Sequence, residues 1–110
     1  MSDLPLEVSV THVKTLVDHG AAIRLIDVRE PDEYALTRIE GSELIPMGTI
    51  PANLQSLDDS EIGLIVICHH GVRSLQVAAW LRSHGVENAQ SMEGGIDAWS
   101  RTVDPTVPRY

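Results

Sequence analysis

Short apolar runs alternate along the chain with segments that have helical periodicity. The clearest apolar runs cover residues 23–28 and 64–67. In each of them apolar residues fall on both faces of the predicted strand rather than on one face only. Strands that are apolar on both faces are typical of a parallel sheet covered by helices on each side. Weaker strand patterns lie at residues 7–8, 42–45 and 88–91. The pattern therefore predicts a small central sheet, largely parallel.

Helical segments fit between these predicted strands. Ser9 is a typical N-cap residue, because its hydroxyl can accept a hydrogen bond from a free N–H group of the first turn. Pro31 and Pro51 suit the first turns of two further helices. Helices are predicted over residues 10–19, 31–36, 51–57 and 73–84, with a last one beginning near Gly95. The alternation of strands and helices favours an α/β fold with helices on both faces of the sheet.

The length of the chain sets the number of domains that we expect. A chain of 110 residues is typical of one domain. We expect a single domain over residues 1–110, with a core at about residues 6–100. The tail, residues 101–110, is rich in proline and is predicted to have no regular structure.

The charge and the apolar runs exclude two classes of partner. The formal net charge is −8 and the sequence pI about 4.9, and an acidic protein repels nucleic acid backbones. No apolar stretch reaches the about 20 residues that a membrane span needs. The N-terminus has no secretory signal pattern, so we expect a cytoplasmic protein that binds neither nucleic acid nor membrane.

The segment with the strongest chemical signal begins at the only cysteine of the chain. Cys68 follows an apolar strand, and after it come His69, His70, Gly71, Val72, Arg73 and Ser74. Such a loop can turn its N–H groups inward, and the following helix adds the positive end of its dipole. Arg73 adds a fixed cation. These three features favour a thiolate over a thiol, so Cys68 is predicted to be a nucleophile near neutral pH.

The neighbouring histidines allow more than one interpretation. A lone buried cysteine is often only a small apolar residue, but the loop and Arg73 favour catalysis here. A metal site is not predicted, because adjacent residues such as His69 and His70 rarely direct both imidazoles at one ion and no second ligand cluster is evident. The two histidines either shape the pocket and donate hydrogen bonds or are simply exposed to solvent. No cofactor is predicted.

Asp27 and Arg29 end the first strong strand, and two interpretations are open for them. In the first they flank the Cys68 loop and help to hold it or to bind substrate, since the carboxyl ends of parallel strands meet at one edge of the sheet. In the second they are ordinary polar residues at a strand end. In that case the carboxylate partner of Arg29 is Glu30, Asp32 or Glu33.

Three segments of this chain resemble those of the rhodanese family. Residues 68–74 resemble its active-site loop, residues 27–34 its Asp-Val-Arg-x-x-x-Glu-[Tyr/Phe] segment, and residues 92–99 its Gly-Gly-x-x-x-Trp motif. The family's central Gly-His-Ile-x-Gly-Ala run is changed here at its first two positions, which are Thr37 and Arg38. The resemblance covers nearly the whole chain. It implies a rhodanese-like fold, with a small central parallel sheet flanked by helices on both faces.

The resemblance also implies a function and roles for the residues of the loop. It implies that Cys68 takes sulfane sulfur from a donor such as thiosulfate and becomes a persulfide. A thiophilic acceptor, cyanide or a thiol, then removes the sulfur. Arg73 matches the arginine of the family's loop and would bind the donor's oxyanion, and residues 69–72 would supply amides around the sulfur. The sequence of the tail is similar to tails found beside adenylating enzymes, so a sulfur-relay protein is a further expected partner.

Two other functions compete with sulfur transfer. One is a phosphatase or arsenate reductase, because cell-cycle phosphatases share the fold that the resemblance implies and its Cys-loop-Arg arrangement. Those phosphatases, however, have one residue more between Cys and Arg. Here four residues separate Cys68 from Arg73, which makes a tighter loop that suits a single sulfur atom. The other alternative is a non-enzymatic persulfide carrier or binding module. Inactive relatives usually lack the cysteine, and this chain retains it.

Overall fold

The computed structural model describes residues 4–110 of the chain. Its strands form one sheet with the order β1-β5-β4-β2-β3, and each of the strand pairs is parallel. The strands are β1 (Glu7–Val8), β2 (Ile23–Asp27), β3 (Ser42–Leu44), β4 (Gly63–Ile67) and β5 (Ala89–Met92). Each predicted strand is present, with ends that differ by at most one residue. The predicted α/β fold with a central parallel sheet is confirmed.

The α-helices follow the predicted pattern, and two short 3₁₀ helices do not: Met47–Thr49 was not predicted, and Pro51–Asn53 replaces the first half of a predicted helix. The α-helices are α1 (Val10–Asp18), α2 (Pro31–Leu36), α3 (Leu54–Leu57), α4 (Val72–Ser83) and α5 (Gly95–Thr102). The prediction of one helix over residues 51–57 is wrong in its first half, where Pro51–Asn53 is a 3₁₀ helix. The N–H of Asn53 bonds the carbonyl of Ile50, three residues back, which is the tighter 3₁₀ spacing.

The tail differs from the prediction at its start. Residues 101–102 were expected to have no regular structure, but they form the last turn of α5. These two residues come before Pro105, the first proline of the tail, so no proline prevents the helix from continuing through them. Residues 103–110 contain turns and no helix or strand, as predicted.

Local side-chain bonds explain where two of these helices begin. The hydroxyl of Ser9 accepts a hydrogen bond from the N–H of His12 at 3.1 Å, so Ser9 is the N-cap of α1 as predicted. Pro31 opens α2, and the Glu33 carboxylate accepts from the N–H of Glu30 at 3.0 Å. A side chain thereby satisfies a backbone donor at the start of each helix.

Apolar side chains fill a layer on each face of the sheet. Helices α3 and α4 cover one face, where Ala78 and Leu81 of α4 pack with the strand residues Ile26, Leu64 and Val66. Helices α1 and α5 cover the other, where Val13 of α1 and Trp99 of α5 pack with the strand residues Leu25, Ile65 and Ile67. The central strands are therefore buried on both sides, which is why they have nearly continuous apolar sequences. None of the helices within residues 4–110 is long and apolar enough to cross a membrane.

The sheet brings together the three segments that carry the sequence motifs. Strand β4 lies between β2 and β5, with Asp27 paired to Ile67 and Val66 paired to Ser91. Because the strands are parallel, the chain leaves all three at the same edge. The residues after β2, the Cys68 loop after β4 and the start of α5 after β5 consequently meet there, where sites form in open parallel sheets.

Candidate active site

The thiol of Cys68 is buried beneath its loop. The residue is 1% exposed. Its Sγ accepts a hydrogen bond from the N–H of Gly71 at 3.0 Å and lies 3.3 Å from the hydroxyl of Ser74, the third residue of α4. Two of the predicted loop residues therefore contact the sulfur directly. Both groups can stabilise negative charge on sulfur, the amide as a donor and the hydroxyl by reorienting its proton.

A second serine extends this network and was not predicted from the sequence. Ser91 lies in β5, next to β4, and its hydroxyl is 2.8 Å from that of Ser74. Both serines are fully buried. Either hydroxyl can be the donor of this hydrogen bond. If Ser91 donates it to Ser74, the hydroxyl proton of Ser74 is free to form a hydrogen bond to the sulfur. The only signal in the sequence was that Ser91 falls near the end of a predicted strand.

The loop reaches α4 through a left-handed glycine. Gly71 has φ +100° and is the residue immediately before the helix, so its backbone turns sharply and directs its N–H at the sulfur. An ideal Cβ at this position would lie 3.0 Å from the backbone nitrogen of Gly94. The glycine is thus required both by its own conformation and by close packing against the start of α5.

The N-terminus of α5 holds the loop from the other side. The N–H of Ile96 donates to the carbonyl of Cys68 at 2.9 Å, and the N–H of Asp97 donates to the carbonyl of His69 at 3.1 Å. These N–H groups have no partner within their own helix, because they belong to its first turn. Gly95 permits the approach, since any Cβ there would overlap the same two carbonyl oxygens. The Gly-Gly motif therefore fixes the backbone of the Cys68 loop.

Arg73 lies at the start of α4 and is paired with a carboxylate. Its two terminal nitrogens donate to the two oxygens of Glu33 at 2.7 and 3.1 Å. The guanidinium lowers the pKa of Glu33 from 4.5 to about 2, although partial burial opposes the shift. The Glu33 carboxylate in turn raises the pKa of Arg73, to which the charge of Cys68 also contributes. Arg73 is thus a permanent cation within electrostatic range of the sulfur.

Asp27 and Arg29 form a buried ion pair beside this site. Both residues are at most 1% exposed, and the closest contact, from the Arg29 Nη2 to an Asp27 oxygen, is 2.7 Å. One of the two open interpretations paired Arg29 with a carboxylate of Glu30, Asp32 or Glu33. That pairing is wrong, because Asp27 reaches the guanidinium from the same strand end and Glu33 contributes only its backbone carbonyl.

The environment of Arg29 supports a role in holding the segment together. Its second Nη2 bond reaches the carbonyl of Thr37 at 2.6 Å. Burial opposes the charge, but the bonds to Asp27 and Tyr110 outweigh it and raise the pKa of Arg29. The guanidinium is fully buried and its bonds go to Asp27, to backbone carbonyls of residues 33 and 37 and to Tyr110, so the pair holds the segment after β2 together.

The two loop histidines differ in their surroundings. His70 is exposed, whereas His69 is half-buried and stacks on the ring of Tyr110, with centroids 3.8 Å apart and an angle of 5° between planes. Partial burial, and then the neighbouring imidazole of His70, lower the pKa of His69. His69 is therefore mostly neutral at pH 7 and packs as an aromatic ring, so it fits the interpretation in which it shapes the site.

A third residue with a metal-ligating side chain lies near the two loop histidines, which the sequence did not indicate. Asp97 brings a ligand atom to within 4.8 Å of ligand atoms on His69 and His70. Both oxygens of Asp97, however, accept hydrogen bonds from arginines, Arg109 at 2.9 Å and Arg101 at 3.0 Å. These cations, Arg109 first, lower the pKa of Asp97 and compete with any metal ion for its oxygens.

Comparison with known proteins identifies the family. A family model described as a rhodanese-like domain matches residues 9–102. This chain belongs to the rhodanese-like family. The resemblance to this family is thereby confirmed. The matched residues include all three motif segments and the Cys68 loop.

Curated relatives include both short and long proteins. The chain is 31% identical to the thiosulfate sulfurtransferase GlpE of Pseudomonas aeruginosa over 105 residues, which cover 96% of the chain and 92% of GlpE. It is 40% identical over 90 residues to a chloroplastic rhodanese-like/PpiC domain-containing protein of Arabidopsis thaliana, covering 79% of the chain. It is 33% identical to MoeZ of Mycobacterium tuberculosis, a probable adenylyltransferase/sulfurtransferase, over 86% of the chain. The match spans only 30% and 24% of the lengths of these last two.

Solved structures have the same fold. SSP1007 of Staphylococcus saprophyticus superposes with a TM-score of 0.79 at 35% identity, over 99% of this chain and 100% of that one. The human single-domain sulfurtransferase TSTD1 superposes with a TM-score of 0.75 at 25% identity, over 90% of this chain and 98% of TSTD1. The rhodanese-like domain described here is therefore similar over nearly its whole length to structures that consist of this fold alone, one of which is named a single-domain sulfurtransferase.

Proposed function

We propose that this member of the rhodanese-like sulfurtransferase family transfers sulfane sulfur from thiosulfate, or a similar small anion, to a thiophilic acceptor through a persulfide on Cys68. The observation that carries the proposal is the setting of the Cys68 sulfur. It receives the N–H of Gly71, lies against the Ser74 hydroxyl, and is within electrostatic range of the permanent cation Arg73. Each of these features stabilises a thiolate or the terminal sulfur anion of a persulfide.

The first half of the reaction loads sulfur onto the enzyme. The Cys68 thiolate attacks the sulfane sulfur of thiosulfate and forms a new S–S bond. The bond between the sulfane sulfur and the sulfonate sulfur breaks, and sulfite leaves with that electron pair. Arg73 has five N–H donors, of which two bond Glu33, so the others can bind the sulfonate oxygens of the donor.

The second half of the reaction removes the sulfur. An acceptor such as cyanide attacks the outer sulfur of the persulfide, the S–S bond breaks, and the Cys68 thiolate is restored as thiocyanate forms. A thiol acceptor would carry the sulfur away as its own persulfide. Because Cys68 is the only cysteine of this chain, the acceptor must be another molecule or another part of a larger assembly.

The names of relatives support two versions of this function. GlpE, matched along most of its length, is named a thiosulfate sulfurtransferase, which supports thiosulfate as donor. MoeZ is named an adenylyltransferase/sulfurtransferase, and the same double name belongs to the maize relative MOCS3-2. These names support a second version in which the persulfide passes to a protein of a sulfur relay. The two versions share the loading step and differ only in the acceptor.

Phosphatase chemistry is the enzymatic alternative, and the loop argues against it. Four residues separate Cys68 from Arg73, and the Gly71 amide is already directed at the sulfur. We expect negligible turnover of an aryl phosphate such as p-nitrophenyl phosphate. Appreciable release of nitrophenol that is absent from the Cys68→Ser variant would favour the phosphatase alternative over sulfur transfer.

A coupled thiosulfate and cyanide assay tests the proposed function. Arg73→Gln removes the cation but keeps a hydrogen-bonding side chain, and we expect a loss of about 100-fold in kcat/KM for thiosulfate. Arg38→Gln removes an exposed arginine that lies over the ring of Tyr34, and it is the matched control with near-normal activity expected. Equal rates of thiocyanate formation in the Arg73→Gln variant and the wild type would contradict the role given to Arg73.

A further inference from the structure

The tail after α5 folds back onto the candidate active site. Val107 is 9% exposed and packs into the apolar layer formed with α1 and α5. Arg109 pairs with Asp97 in the first turn of α5 at 2.9 Å. These contacts, one apolar and one ionic, fix the path of the tail. They bring Tyr110 beside the Cys68 loop.

Tyr110 then contacts three residues around the loop. Its hydroxyl donates to Glu33 at 2.6 Å and accepts from Arg29 at 2.9 Å. Its ring stacks on His69, and its backbone oxygen lies 3.0 Å from the Nε2 of that histidine. A residue distant in sequence thereby links the end of β2, the start of α2 and the catalytic loop.

The bond to Glu33 matters because of the oxygen that it uses. Tyr110 donates to the Oε2 of Glu33, and this oxygen also accepts from the Nη2 of Arg73 at 3.1 Å. The other oxygen, Oε1, accepts from the N–H of Glu30 at 3.0 Å, so Tyr110 completes a second anchor that fixes the plane of the carboxylate. A guanidinium bonded to both oxygens then lies in a matching plane. Burial, together with the Glu33 charge, raises the pKa of Tyr110, so the phenol is a donor at neutral pH.

We propose that Tyr110 is a positioning residue, which through Glu33 orients the guanidinium of Arg73 for anionic sulfur donors. The inference rests on the proposed function for the loading step. It assigns to the tail a role in donor selection, since a Glu33 carboxylate without the Tyr110 bond would still pair with Arg73 but would hold its free N–H groups in a less defined direction. The group transferred and the bonds broken are those of the loading step given above.

The two halves of the reaction separate this role from a general loss of structure. Tyr110→Phe keeps the ring that stacks on His69 and removes only the hydroxyl. We expect the rate constant for persulfide formation from low concentrations of thiosulfate to fall about tenfold, which corresponds to one hydrogen bond to a charged group. Discharge of the preformed persulfide by a neutral phosphine should keep its rate, because no anion approaches the sulfur in that step. Tyr34→Phe, which removes a phenol bonded to the carbonyl of Ser42, is the control.

Alkylation of Cys68 tests the same inference without any sulfur transfer. Iodoacetate is an anion and iodoacetamide is neutral. The rate of alkylation by iodoacetate divided by the rate of alkylation by iodoacetamide therefore measures how well the site attracts anions to the Cys68 sulfur. Arg73→Gln and Tyr110→Phe should both lower this ratio, and Tyr34→Phe should not. Because both reagents attack the same atom, a looser fold changes both rates together and leaves the ratio unaffected.

The outcomes distinguish the inference from the proposed function. A ratio and a loading rate in Tyr110→Phe equal to those of the wild type would overturn the positioning role, even if sulfur transfer itself is established. A wild type that loads no sulfur from any donor would contradict the proposed function. In that case a lowered alkylation ratio in Tyr110→Phe would still support Tyr110 as the residue that orients Arg73.

Discussion

The side chains around Cys68 include two ion pairs that differ in their surroundings. The Asp27–Arg29 pair is fully buried, whereas the Arg73–Glu33 pair is 33% and 18% exposed. When a buried guanidinium loses its carboxylate, water cannot reach it to replace the lost hydrogen bonds. The free energy cost of burying its charge is then no longer offset by the ion pair. A pair with partial exposure loses less, because water replaces part of the lost interaction.

Asp27→Asn tests the contribution of the buried pair. Asparagine has nearly the same shape, but it leaves Arg29 as a buried charge without a carboxylate. We expect a loss of about 3–5 kcal/mol in the free energy of unfolding, measured by urea denaturation. The matched control is Glu43→Gln, which breaks the more exposed pair with Arg24 and should cost about 1 kcal/mol or less. Similar losses in the two variants would contradict the role given to Asp27.

Individual residues were predicted unevenly from the sequence. Cys68, Gly71 and Ser74 were placed at one site, because a strand, a loop and a helix cap have recognisable local patterns. Ser91 and Tyr110 were missed, because each reaches the site through a contact with a residue distant in sequence. The choice of partner for a charged side chain is likewise set by packing, so sequence alone left several carboxylates open for Arg29.

Among the elements, α5 has the most direct effect on the loop. Its first-turn N–H groups bond the carbonyls of Cys68 and His69. The contact is possible only if the helix backbone approaches without an intervening side chain. Gly95 meets this condition and also has a left-handed backbone, with φ +61°.

Gly95→Ala separates the two requirements. The substitution adds backbone strain of about 1–2 kcal/mol and also a clash with two carbonyl oxygens, so we expect a larger total loss of stability and a displaced loop. Gly20→Ala is the control, because Gly20 has φ +64° and nothing within 4 Å of an added Cβ. Thermal unfolding measures both losses. Equal losses would mean that α5 does not hold the loop by close approach.

Most elements were predictable from the sequence, and the exception has a physical cause. Buried parallel strands have continuous apolar runs, and helices have caps and a periodic stripe, so both were found to within a residue or two. The segment that contains Pro51 has a proline consistent with either an α or a 3₁₀ turn, and it is too short for periodicity to decide between them.

For the whole molecule, the acidic balance makes the carboxylates the groups that determine stability at low pH. The net charge is −8 at pH 7. Glu33 has a pKa of about 2 in the folded protein and its ordinary value of 4.5 in the unfolded chain, so the unfolded chain binds its proton first as the pH falls. The stabilisation by Glu33 is therefore fully present above about pH 4.5 and is lost between 4.5 and about 2.

Glu33→Gln tests this dependence. At pH 7 we expect the variant to be less stable by about 2 kcal/mol, after allowance for the partial exposure of the pair. The difference from the wild type should shrink as the pH falls from about 4.5 towards 2. Glu40→Gln removes an exposed carboxylate and serves as the control for the change in net charge. A difference that stays constant over this pH range would contradict the pairing of Glu33 with Arg73.

The architecture as a whole followed from the sequence more completely than the site did. The α/β class depends on an alternation of patterns that runs the length of the chain, so local errors do not change it. The closing of the tail over the loop depends on a few specific contacts, namely Val107 in the core, Arg109 on Asp97 and Tyr110 on Glu33. A proline-rich tail has no periodicity from which such contacts can be predicted.

Intact-protein mass spectrometry before and after incubation with thiosulfate tests the central claim most directly. We predict a gain of the mass of one sulfur atom in the wild type, its removal by cyanide, and no gain in Cys68→Ser, because a serine hydroxyl cannot hold sulfane sulfur as a persulfide. The same gain in the Cys68→Ser variant, or no gain in the wild type with thiosulfate and with persulfide donors, would contradict sulfur transfer through Cys68.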